Sequence, residues 1–219
     1  MKFKITLKID RKHGDLLPFN YQYEQSAVIY RILAQADTQY SSWLHENGYL
    51  LHERKRFKLF CYSPFIFEKV RPLPEAGCLK IIGERAVWYI SFIPEKSTLE
   101  FIQGIFAHQS FTIGNKKYQV AFDVVGVEAM SMPQLTEQMA FQAMSPICVK
   151  LHKDNKTQYL SPDNPMFADG ILKGFKARYE SIHGQPFDMN DKEFSFELTD
   201  NKVKSKLITI KANTPYESR

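Results

Sequence analysis

Residues 2–10 read KFKITLKID, and their alternation decides how the fold begins. Phe3, Ile5, Leu7 and Ile9 share one side, and Lys2, Lys4, Thr6 and Lys8 share the other. A period of two marks a strand with one buried face, here with a cationic outer face. Such a strand needs neighbouring strands and a layer packed on its apolar side.

The residues that follow predict both. After the turn-rich Lys12-His13-Gly14-Asp15, the residues Ile29, Leu33, Ala36, Tyr40 and Trp43 recur at helical spacing. Asp37-Thr38 is an N-cap signal inside this run, which allows two helices in place of one, and Glu46-Asn47-Gly48 is the stop. Phe57–Tyr62 (FKLFCY), Leu79–Ile82 and Ala86–Phe92 (AVWYISF) are short β-branched and aromatic runs of strand character. Ser97–His108 returns to helical spacing through Leu99, Ile102 and Phe106, and Tyr118–Val125 alternates again. The order is β-α-β-β-α-β with one extra strand or hairpin at 79–82, the ferredoxin-like order.

A soft linker at Glu128–Glu137 precedes a second start. Ser145–Leu151 reads as a strand, and Asp163-Asn164-Pro165 opens a helix with Phe167, Ile171, Phe175, Tyr179 and Ile182 on one face up to Gly184. Phe194, Phe196 and Leu198 alternate, and Leu207–Lys211 reads as a last strand. The expected fold class is therefore α+β, with tandem ferredoxin-like (RRM-like) domains over 1–130 and 140–219. No glycine follows Gly184. As a repeat, the second unit lacks its closing helix and strand, so it is either a minimal domain or part of something longer.

Composition narrows the classes. The chain has 219 residues, 44% hydrophobic and 24% charged, with a net charge of +5. That is globular composition, with a weak tilt toward an anionic partner. No apolar run approaches a membrane span, and the N-terminus lacks the apolar core of a signal peptide. Cys61, Cys78 and Cys148 are scattered, so neither a disulfide framework nor a zinc site is expected, and a reducing cytoplasm is the default. Walker, GxGxxG and GxSxG motifs are absent, and no acidic pairing suggests a two-metal site. Neither metal nor cofactor is expected.

The densest cationic run is Arg54-Lys55-Arg56-Phe57-Lys58. Such a run either holds phosphates while its ring stacks on a base, or is a solvated loop entering a strand. It follows a helix carrying His45 and a loop carrying His52. No two of the six His stand at a metalloprotease spacing, but a single imidazole can act as a base because its ordinary pKa lies near neutrality. Tyr30 and His45 lie fifteen residues apart, about 22 Å on one straight helix. They share a site only if the chain turns between them, and Asp37-Thr38 signals such a turn. RNA can be cut without a cofactor by its own 2′-hydroxyl, given a base, an acid for the leaving oxygen and a cation for the phosphorane. His, Tyr and Lys are the residue types required.

Leu17-Pro18-Phe19-Asn20-Tyr21-Gln22-Tyr23, Ile29-Tyr30, Trp43-Leu44-His45 and Phe57-Lys58-Leu59-Phe60-Cys61-Tyr62-Ser63 together resemble the CRISPR-associated endoribonucleases that cut repeat RNA, within the repeat-associated mystery protein superfamily. Ser145-Pro146-Ile147 at the second start fits as well. The resemblance covers the whole chain in order. It implies metal-independent cleavage of precursor transcripts into guide RNAs, leaving a 2′,3′-cyclic phosphate. It assigns His45 as general base or acid, Tyr30 as its partner and Lys58 as electrostatic stabiliser, with Lys55 as the fallback for Lys58. Arg54, Lys55, Arg56 and Lys4 are the expected RNA-binding residues. The partner implied is CRISPR repeat RNA, with an effector complex and a second copy of the chain as further candidates and no membrane. The family's glycine-rich loop near the C-terminus is not matched. Two alternatives stay open: a non-catalytic repeat-RNA-binding protein or effector subunit, and a general RNA-recognition module using Tyr89 and Phe122.

Overall fold

The computed structural model describes residues 1–51, 55–153 and 156–199. Its first strand is the alternating segment, β1 (Lys2–Asp10), with Phe3, Ile5, Leu7 and Ile9 all buried. Next come β2 (Leu16–Pro18), α1 (Gln22–Ala36), α2 (Thr38–Glu46), β3 (Tyr49–Leu51), β4 (Lys55–Phe57), β5 (Phe60–Tyr62), β6 (Ile66–Phe67) and β7 (Val70–Leu73). They are followed by β8 (Cys78–Ile81), β9 (Arg85–Phe92), α3 (Glu95–Ala107), β10 (Ser110–Gly114), β11 (Gln119–Met130), β12 (Val149–Lys153), β13 (Lys156–Leu160) and α4 (Met166–His183).

The main sheet runs β10-β11-β1-β9-β5, with β6 also paired to β9. β1 lies antiparallel between β11 and β9, so the strand with the cleanest alternation is central. Setting aside the added edge strand β10, the order is the ferredoxin-like one: the fourth strand beside the first, then the third, then the second. The β10–β11 hairpin was not predicted, and neither were the short β2, β6 and β7. The expected strand at 79–82 is β8, and it pairs with β2 and β7 in a separate three-stranded sheet.

α1 and α3 cover one face of the main sheet, and their crossing is unusually close. A Cβ on Gly104 of α3 would stand 1.8 Å from the Ile32 carbonyl oxygen of α1, so no side chain fits there. The backbones meet across Val28, Ile29, Ile32, Phe101 and Ile105, all buried. Sheet and helices share one continuous cluster that also takes in Trp88, Ile90, Phe92 and Phe122.

The expected strand over 57–62 is two strands in different sheets. β4 pairs with β3, β5 pairs with β9, and Leu59 between them adopts φ +56°. Apolar character favours extension on both sides of the break, but burial of Leu59 and the reach of Lys58 toward α2 turn the chain between them.

Beyond β11 no regular element forms until β12. The β12–β13 hairpin and α4 build a second, smaller cluster around Val149, Leu160 and Phe167. Asn164 caps the start of α4 by accepting the Met166 N–H at 2.9 Å, and Gly184 ends it in the left-handed region. Only part of the predicted face of α4 is covered, since Phe167 is buried while Phe175 is 59% exposed. Phe194–Leu198, expected as a strand, joins no ladder among the described residues. The predicted strand over 207–211 lies outside the described residues.

Candidate active site

The turn signalled at Asp37 is present. Asp37 is extended, and its carboxylate accepts the Tyr40 N–H at 2.8 Å, capping α2 as α1 ends. Ser41 of α2 donates to the Tyr30 carbonyl at 2.8 Å, fixing the corner between the helices. α2 therefore folds back beside α1, and the Tyr30 and His45 rings meet edge to face, 4.9 Å apart at 84°.

Tyr30 is half-buried, standing at 75° to Phe60 of β5 with ring centroids 5.7 Å apart. Burial, helped by the nearby Tyr62, pushes its phenol up to about 12. It therefore remains a neutral O–H donor throughout the neutral range. His45 sits in the last turn of α2 and is exposed, so its imidazole touches the Tyr30 ring while the group stays accessible.

The cationic run closes the far end of α2. Lys58 donates its ammonium to the Leu44 carbonyl and, at 2.6 Å, to the His45 carbonyl. Arg56 donates to the Glu46 carbonyl at 2.8 Å. Both cations thus satisfy carbonyls that the helix leaves open and oppose the negative end of its dipole. Burial and the Arg56 charge push the Lys58 ammonium below its ordinary range. Gly48 makes room for this arrangement: with φ +67°, a Cβ on it would meet the Phe57 carbonyl oxygen at 2.7 Å and the Lys58 Nζ at 3.3 Å.

Three predicted residues therefore converge, Tyr30, His45 and Lys58, with Arg56 alongside and Lys55 exposed on β4. Arg54 and His52 lie outside the described residues. Lys4 is elsewhere: it points away from the helices on the open face of the sheet and pairs with Glu128 at 3.1 Å. On that same face Lys2 stands 5.2 Å over the Tyr89 ring. Phe122, weighed as a base-stacking residue, is fully buried in the core and cannot serve as one. Among the described residues no cluster of His, Cys, Asp or Glu could hold a metal ion, and no helix is long and apolar enough to cross a membrane.

One neighbour of the site could not be read from the sequence. Arg178 of α4 places its guanidinium 5.2 Å from the Phe57 ring, so the second region leans on the hairpin that leads to Lys58. An arginine this far along the chain carries no local pattern pointing to Phe57.

Comparison with known proteins gives consistent results. The model of CRISPR-associated protein Cas6, N-terminal, matches residues 16–122, and that of the Cas6 C-terminal part matches residues 130–218. The CRISPR-associated endoribonuclease Cas6 1 of Methanocaldococcus jannaschii is 26% identical over 212 residues, covering 95% of this chain and 76% of the relative. A solved structure of a CRISPR-associated protein Cas6 superposes with a TM-score of 0.71 at 24% identity, covering 99% of this chain and 83% of the other. Another, of an RAMP protein binding different RNA substrates, gives 0.67 at 24% identity over 85% of this chain and 73% of the other. The expected fold class, tandem ferredoxin-like α+β, is borne out by these superpositions.

Proposed function

The chain belongs to the CRISPR-associated Cas6 family, and from that premise we propose that it binds CRISPR repeat RNA and cleaves precursor transcripts into guide RNAs. The observation that carries the reading to particular residues is the 4.9 Å meeting of Tyr30 and His45, fifteen positions apart, at an accessible helix end. The likeness to an endoribonuclease of Methanocaldococcus jannaschii and to an RAMP protein binding different RNA substrates supports the substrate class.

In the reaction we infer, the ribose 2′-hydroxyl attacks the adjacent phosphorus. His45 takes the 2′ proton, the bond from phosphorus to the 5′-oxygen breaks, and that oxygen leaves with a proton. The products are a 2′,3′-cyclic phosphate and a 5′-hydroxyl. Tyr30, held near 12, cannot serve as the base at neutral pH, but it can donate to a developing alkoxide, a far stronger base than a phenolate. Lys58 contributes positive charge beside His45, and Lys55 is the exposed alternative. Lys55 and Arg56 are assigned to the RNA backbone on one side of the site and Lys4 to the open sheet face, and Arg54, outside the described residues, is likewise assigned to RNA binding. The division into domains at 1–130 and 140–219 belongs to the same reading, and the two separate hydrophobic clusters support it.

Labelled repeat RNA incubated with the protein in EDTA is expected to give one cut, lost on 2′-deoxy substitution at that position. His45→Ala is expected to lower the rate by about 100-fold or more while leaving repeat binding intact. Cleavage that survives His45→Ala removes the assignment. One observation favours a second reading, a repeat-RNA-binding protein without cleavage: the ammonium nearest His45 is held by backbone carbonyls of α2. That reading predicts salt-sensitive binding without product, weakened more by charge removal at 54–58 than by His45→Ala.

A further inference from the structure

On the other side of α2 from Tyr30 lies a groove of about 420 Å³, lined by Asp37, Gln39, Tyr40, Trp43, Tyr49 and Lys96. We propose that this groove is a nucleobase site, in which Trp43 stacks an unpaired RNA base a few nucleotides from the phosphate at His45. The ligand class rests on the RNA-binding reading above, but the site does not depend on cleavage.

The rings are arranged to hold a flat apolar face. Tyr40 stacks with Trp43 at 5.7 Å and 23°, Tyr49 stands at 85° to the indole at 5.3 Å, and Trp43 still keeps 38% of its surface exposed. The Tyr40 hydroxyl bonds to Ser97 and approaches the Tyr49 hydroxyl at 3.3 Å, so the floor is fixed. An exposed indole on a fixed aromatic floor suits a base, because every base has a π-face.

The rim provides the polar half. Lys96 stands 4.8 Å over the Tyr40 ring and pairs with Asp37 at 3.2 Å, which neutralises the carboxylate and lets a nearby phosphate approach. Asp37 still has acceptor capacity for an exocyclic amino group, and the Gln39 amide offers both a donor and an acceptor. The groove also lies on a continuous surface with the candidate active site. Residues 38, 39, 42, 43, 45 and 46 form the exposed arc of α2, while Tyr40, Ser41 and Leu44 are buried. His45 marks one edge of that arc and Trp43 the other, so one single strand crossing α2 reaches both.

The test uses tryptophan emission in the full chain carrying His45→Ala, so that cleavage plays no part. The protein has two tryptophans, and Trp88 is wholly buried, so quenching by a short single-stranded oligoribonucleotide reports on Trp43. Saturable quenching is expected, stronger with oligoadenylate than with oligouridylate. Trp43→Leu should abolish it and weaken binding about tenfold, with Trp43→Phe retaining part of the affinity. Absence of saturable quenching overturns the site, as does unchanged affinity in Trp43→Leu. Emission that changes only with protein concentration also overturns it, because it marks the groove as a protein contact. Quenching in a chain whose His45 form never cuts repeat RNA would leave this site standing and remove the nuclease.

Discussion

The two hydrophobic clusters of this chain are built to different standards. The first joins the six strands of the main sheet to three helices, and it buries Trp88, Phe92, Phe101 and Phe122 to 1% exposure or less. The second rests on Val149, Leu160 and Phe167 between one hairpin and one helix, among the described residues. Every residue of the candidate active site that the structure describes belongs to the first region. A pair of side chains held by ring contact needs a support that does not give, and burying large apolar area on both helices supplies it. The second region contributes none of the converging side chains among the described residues, and its core is correspondingly thinner.

The largest break in this contrast comes from Gly104. Alanine in place of glycine inside a helix normally stabilises by up to about 1 kcal/mol. Here the added carbon would fall 1.8 Å from a backbone oxygen of α1, which cannot rotate away. Gly104→Val is therefore expected to cost more than about 4 kcal/mol, among the rare large effects of a single change. Denaturant unfolding followed by buried-tryptophan emission would read it. A loss under 1 kcal/mol would show that the helix pair gives way easily, and the first region would lose its claim to rigidity.

The parts of this arrangement visible in the sequence are those fixed by local pattern. The alternation of residues 2–10 gave both the strand and its buried face, and the Asp37 cap marked the corner between α1 and α2. That corner made a meeting of Tyr30 and His45 conceivable, but the ring contact follows from the packing of α2 back on α1. The break at Lys58–Leu59 was invisible because FKLFCY carries strand propensity throughout; a backbone turn required by tertiary contacts overrides it. β2, β6 and β7 span two to four residues, too few for a period to show. The alternation at Phe194, Phe196 and Leu198 had the right pattern, yet Phe196 packs against the second cluster without a ladder partner among the described residues. Lys96 entered the groove beside Trp43 from another helix, with no sequence signal for the meeting.

Phe167→Ala sharpens the comparison with a smaller effect. Removing a buried phenylalanine usually costs about 3–5 kcal/mol, and the cost here is expected near the lower end because the second cluster has few members to lose. Regional amide hydrogen exchange is the informative measurement. Protection should fall in β12, β13 and α4 while β1, β9 and β11 keep theirs. Protection lost together in both regions would mean that the two clusters unfold as one unit.

The smallest predicted effect is at the contact between the regions. Arg178 of α4 lies 5.2 Å from the Phe57 ring, and Phe57 directly precedes the lysine bound to the end of α2. A cation over an aromatic face at a partly exposed site is worth about 0.5–1 kcal/mol. Arg178→Ala alone would also alter the Gly174 carbonyl that the same guanidinium engages at 2.8 Å, so the single variant cannot isolate the ring contact. A double-mutant cycle with Phe57→Leu removes that ambiguity, because the Gly174 contribution cancels between its two arms. A coupling of about 0.5 kcal/mol or more would mean that the second region steadies the hairpin leading to Lys58. It would then act on the candidate active site while contributing none of the converging side chains. A coupling of zero would leave the first region to hold that site alone, which is what the difference between the two cores already implies.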